Sequence, residues 1–185
     1  MVAVGASAPQ FGCTAVVDGE LAELAWDVLR EGRALVLLFD SLQSGSDWRG
    51  LFAVLSACSG RLERARGKIA LVCRDDLADT LLWLERFQDE EGPAEVPLPI
   101  VIDADGRIAR RCGFVDDDGE ALWGRFLIDA EGTVRDLAIG SAPCEPDVAD
   151  LLRRVESARA SPGCGGGGPC GSELRNARCQ EVAGR

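Results

Sequence analysis

The sequence predicts an α/β protein with a mixed central sheet and helices on both faces. Three observations carry this. Residues 34–39 (Ala-Leu-Val-Leu-Leu-Phe) and 68–73 (Lys-Ile-Ala-Leu-Val-Cys) are nearly unbroken apolar runs, as strands buried on both faces require. Leu51, Leu55, Cys58 and Leu62, between those runs, recur at helical spacing. Phe126-Leu127-Ile128, a turn signal at Asp129-Ala130-Glu131-Gly132 and the stretch 133–139 together read as a β-hairpin.

The remaining elements follow in order. After the second strand, Asp75 and Asp76 suit a helix start, and Leu77, Leu81 and Leu84 supply the helical period. A third strand is expected at 99–102 (Pro-Ile-Val-Ile). Behind the hairpin, Val148, Leu151, Leu152 and Val155 form an i, i+3, i+4, i+7 stripe. Glu145 and Asp147 are favourably placed at the positive end of that closing helix. Strand, helix, strand, helix, strand, hairpin and helix give a thioredoxin-like arrangement.

One compact domain over 1–161 is expected, followed by a Gly/Cys-rich flexible tail at 162–185. Pro162-Gly163-Cys164-Gly165-Gly166-Gly167-Gly168-Pro169-Cys170-Gly171 is of low complexity, and the residues after it offer few apolar groups to bury.

The chain has 185 residues, a net charge of −11 and no histidine. Missing histidine excludes Ser-His-Asp chemistry, imidazole metal ligation and a histidine pH switch. The acidic balance argues against a nucleic-acid partner, and the cations Arg49, Arg61, Arg64, Arg66 and Lys68 read as a solvated helix face. Membrane insertion is not expected, because no run is long enough to span a bilayer. The amino terminus shows no charged-then-apolar leader pattern, which leans cytoplasmic, with an organelle or a bound assembly left open. Of the eight cysteines, Cys13, Cys58, Cys73, Cys112 and Cys144 are scattered through the α/β region and read as small apolar residues.

Several segments resemble the peroxiredoxins of the typical two-cysteine type, the alkyl hydroperoxide reductase C and thiol-specific antioxidant family. They are Val4-Gly5 with Ala8-Pro9-Gln10-Phe11, Ala15-Val16-Val17-Asp18-Gly19, Val72-Cys73-Arg74-Asp75-Asp76 with Leu81-Leu82-Trp83, Pro97-Leu98-Pro99-Ile100, and Gly124 with Phe126-Leu127-Ile128-Asp129. The resemblance covers roughly residues 4–160. It implies a thioredoxin-like fold, thiol peroxidase activity, and self-association through a hairpin edge strand, here 133–139.

It also implies a site that this chain lacks. The family's loop proline, threonine, cysteine and second proline fall on Ser41, Gly45, Trp48 and Arg49, and its two arginines on Trp123 and Pro146. The cysteine must attack the peroxide as a thiolate, and the threonine and arginine steady charge on the leaving oxygen. No cysteine lies between Cys13 and Cys58, so no slip of register supplies the nucleophile. Arg49 and Arg125 are each near a required place but displaced.

The fallback thiols are Cys58, about 15 Å along a helix from Trp48, and Cys164 and Cys170, which flank the place of the family's resolving cysteine. Cys58 reads first as packing. Cys164, Cys170 and Cys179 have spacings that do not suit a zinc site, so no metal and no cofactor is expected. A tail disulfide is a separate option. Trp48 and Trp123 could stack and fill the old pocket, or be buried independently, and Asp116-Asp117-Asp118 reads as a solvated turn.

The expectation is a catalytically inactive member of this fold, kept as a structural or protein-binding module and possibly a subunit of a larger assembly. Its partner would be a second copy, through 133–139, or a larger complex. The alternative is a thiol-dependent peroxidase that uses Cys58, Cys164 or Cys170.

Overall fold

The structure, a computed structural model, describes residues 2–89, 96–118, 122–140 and 147–159. Cys144, Glu145, Pro146, Cys164, Cys170, Cys179 and the division at 161 lie outside them.

Its strands are β1 (Cys13–Val17), β2 (Glu20–Leu24), β3 (Ala34–Asp40), β4 (Gly67–Cys73), β5 (Ile100–Ile102), β6 (Trp123–Ile128) and β7 (Val134–Gly140). The helices are α1 (Trp26–Arg30), α2 (Trp48–Arg64), α3 (Leu77–Asp89), α4 (Arg107–Cys112) and α5 (Val148–Arg159). The sheet runs β2-β1-β5-β4-β3-β6-β7, with β3, β4 and β5 parallel and the outer pairings antiparallel. The mixed sheet with helices on both faces is therefore present.

Alternation along β3 builds two cores. Val36 and Leu38 face a cluster with Phe52 of α2, Leu84 of α3 and Leu151 of α5. Leu35, Leu37 and Phe39 face the other, with Leu29 of α1 and Ile108 of α4. A strand buried on both faces has no polar side to show, which is why it reads as one apolar run. The α5 stripe is buried as its spacing predicts, with Val148, Leu151, Leu152 and Val155 all at 7% exposure or less.

The α3 stripe needs correcting. Leu81 is 44% exposed, and the buried positions are Thr80, Leu84 and Phe87. These share the i, i+4, i+7 spacing but are shifted by three residues, which turns the buried stripe by about 60° around the helix and keeps Leu84 in both sets. Asp76 starts this helix, its carboxylate accepting from Asp79 N at 2.8 Å, while Asp75 turns inward. The hairpin β1–β2 and the short helices α1 and α4 were not foreseen as elements. Five or six residues carry too little periodicity to show. Among the described residues no helix is long and apolar enough to cross a membrane.

Candidate functional site

The carboxyl ends of the parallel strands β3 and β4 meet the start of α2, where open α/β sheets place their crevices. The segment between β3 and α2 carries Ser41, Gly45 and, as the first helical residue, Trp48. Asp47 accepts from Gly50 N at 2.9 Å and starts the helix. A Cβ on Gly50 would meet that capping carboxylate, so any larger residue there would make Asp47 shift from its capping position.

Two carboxylates organise the loop. Asp75 accepts from Ser41 Oγ at 2.8 Å, from Leu42 N at 2.7 Å and from the Cys73 thiol at 3.2 Å. Asp40 accepts from Ser41 N at 2.5 Å and from Ser46 Oγ at 3.1 Å. Burial pushes the Asp40 carboxyl up to about 6, against the pull of its hydrogen bonds and with a small push from the Asp75 charge. Ser41 thus bridges the two acids, and Gly45 turns the chain with φ of +85°.

Trp48 is 4% exposed, and its ring lies 5.8 Å from Phe52. Its Nε1 donates to Ser41 O at 3.3 Å. The indole lines a cavity of about 330 Å3 with Arg49, Trp83, Arg86 and Phe87. Arg49 sits 5.3 Å over the Phe87 ring. Trp123 is half-buried and lines a different cavity of about 230 Å3, with Phe39, Asp40, Arg74 and Asp75. The stacked pair is therefore not formed. Trp48 turns along α2 into the helix-covered core, while Trp123 stays on the strand wall. Arg125 is committed elsewhere, to Asp136 at 2.9 Å and Asp150 at 3.6 Å. Gly124, beside Trp123, is held by close approach, since a Cβ there would strike Ala138 O and the Phe114 ring.

Cys58 lies ten residues past Trp48 on α2, half-buried against the core. Cys13, Cys73 and Cys112 are buried, and desolvation pushes their thiols up to about 11, 12 and 12. All three are protonated at neutral pH, so none is a thiolate nucleophile. Among the described residues no group of three or more His, Cys, Asp or Glu side chains could hold a metal ion.

Sequence reading overlooked Asp40, Arg74 and Asp75 as lining residues of this crevice. The available signal was charge at the carboxyl ends of two adjacent apolar strands, where no packing role explains it.

No protein-family model matches the chain. It is 30% identical over 161 residues to thioredoxin peroxidase of Echinococcus granulosus, covering 83% of this chain and 80% of that protein. It is 29% identical over 151 residues to peroxiredoxin TSA1 of Saccharomyces cerevisiae, covering 81% and 76%. Among solved structures, Mycobacterium tuberculosis AhpC superposes with a TM-score of 0.74 at 16% identity, over 86% of this chain and 94% of that one. The mitochondrial 2-cys peroxiredoxin of Plasmodium falciparum gives 0.70 at 21% identity, over 84% and 93%. With this fold and these relatives, the chain belongs to the peroxiredoxin family.

Proposed function

We propose that this peroxiredoxin-family chain has given up peroxidase chemistry and serves as a binding or structural module, alone or within a larger assembly. The observation that carries the reading is Trp48. A buried indole fills the first turn of α2, the place to which the family resemblance assigns the attacking thiolate. Two carboxylates beside that turn, Asp40 and Asp75, would raise the pKa of any thiol placed there. Gly45 brings no hydroxyl and Trp123 no cationic guanidinium to steady charge on a leaving oxygen. Self-association has a surface in β7 (Val134–Gly140), an edge strand of the sheet that overlaps 133–139, where Ile139 is 44% exposed. The module is taken to span 1–161, with 162–185 as an appended segment.

One observation favours a second reading. Cys58 is the only described cysteine that is not buried, and the named relatives include a thioredoxin peroxidase. Catalysis would then use Cys58, or Cys164 or Cys170 of the tail. Steady-state consumption of hydrogen peroxide with dithiothreitol as reductant separates the two. The module reading expects consumption no faster than dithiothreitol alone. Turnover abolished by Cys58→Ser would establish the peroxidase instead.

A further inference from the structure

Between the β1–β2 turn, α3 and the residues that lead into β5 lies a groove of about 560 Å3, on the side of α3 away from Trp48. Its floor is apolar. Val16, Leu84, Leu98 and Ile100 line it, each exposed by 8% or less. The apolar surface continues outward onto side chains that solvent reaches. Leu81 on the α3 wall is 44% exposed. Leu21 stands opposite Val16 in the β1–β2 register, so it shares that face of the sheet, and it is 56% exposed. Leaving two leucines in water beside a preformed apolar cleft forgoes burial that a bound chain would recover.

The rim has one sign. Among the described residues, the charged groups lining the groove are Asp18 on the turn and Glu85 on α3, with no cation between them. Glu23, two residues beyond Leu21, carries a third carboxylate on the same sheet face. An apolar floor inside an acidic rim selects a partner with the opposite pattern.

We propose that this groove docks an apolar segment of a partner protein flanked by lysine or arginine. The apolar side chains fill the cleft over Val16 and Ile100, and the flanking cations pair with Asp18 and Glu85. The inference rests on the binding-module reading and supplies the chemistry of the partner.

The test uses the full chain and two fluorescein-labelled peptides of alternating sequence, lysine–leucine and glutamate–leucine, followed by fluorescence anisotropy. The lysine peptide is expected to saturate a single site and the glutamate peptide to bind at least about tenfold more weakly. Leu81→Asn, a neutral change at an exposed position, removes apolar contact without altering the rim charge and weakens the lysine peptide by about tenfold or more. Glu85→Lys combined with Asp18→Asn reverses the preference towards the glutamate peptide. Equal binding of both peptides, or indifference to Leu81→Asn, would overturn the proposal. So would sedimentation showing that Leu81→Asn dissociates an oligomer of this chain, which would assign the groove to a second copy. A peroxide-inert protein that binds neither peptide loses the docking site but keeps the module reading. Rapid peroxide turnover removes the module reading whatever the peptides do.

Discussion

The indole Nε1 of Trp48 donates to the backbone oxygen of Ser41 across 3.3 Å, joining the first residue of α2 to the residue that follows β3. The ring beneath this bond is packed against Phe52. The residue at the place to which the family resemblance assigns the thiolate is thus part of the core.

Trp48 should accordingly behave as a stability residue. Trp48→Ala removes a large buried ring, at a cost of about 3–5 kcal/mol. Trp48→Phe keeps most of the packing but loses the hydrogen bond, at a cost of about 1 kcal/mol from that bond. Urea denaturation of the two variants beside the parent protein measures both. Equal stability of Trp48→Ala and the parent would contradict the packing described here.

Asp40 sets a pH dependence. Its folded pKa, about 6, lies above the ordinary value of 3.8, because burial disfavours the charged form. The folded state therefore holds the proton more tightly than the unfolded chain does. The associated stability is complete below about 3.8 and is lost as pH rises to about 6. Asp40→Asn should remove this component, so that stability relative to the parent protein improves as pH rises through that window. Paired denaturation curves at several pH values measure it, and an unchanged pH profile would contradict the assignment.

Asp75 anchors the loop through Ser41 and Leu42. Asp75→Ala strands those donors, at a cost of about 1–3 kcal/mol for each group left buried without a partner. Faster amide exchange at Leu42 is the expected signature, with little change in the centre of β4. Uniform acceleration across the sheet would mean that Asp75 supports the whole fold instead.

Thiol chemistry distinguishes the described cysteines from one another. Cys58 should react with iodoacetamide in the native protein well before Cys13, Cys73 and Cys112, which are buried and protonated. In denaturant all four should react alike. Mass mapping after timed quenching follows each site, and early labelling of Cys73 would contradict its burial.

How much of this was legible depended on length and on alternation. β3 and β4 are long and apolar on both faces, so 34–39 and 68–73 announced themselves, and the four-residue stripe of α5 was equally clear. α3 was placed correctly but rotated, because Leu81 and Leu82 look like core and are 44% exposed. Their exposure depends on which side of the helix meets the sheet, and a single helix does not encode that side. The residues of the loop between β3 and α2 could be located by resemblance, but their interactions could not. That Trp48 joins Phe52 while Trp123 faces Asp40 and Asp75 follows from the crossing of α2 over the sheet, a tertiary fact. Asp40 and Asp75 were overlooked for the same reason, since strands 34–40 and 67–73 bring them together only when paired in parallel.

The most direct measurement is the second-order rate of hydrogen peroxide with the fully reduced protein, followed by mass mapping of the oxidised cysteine. The account predicts a rate like that of an ordinary free thiol, with oxidation spread over accessible cysteines. A rate orders of magnitude faster, confined to one cysteine, would contradict it and mean that the peroxidatic centre has moved.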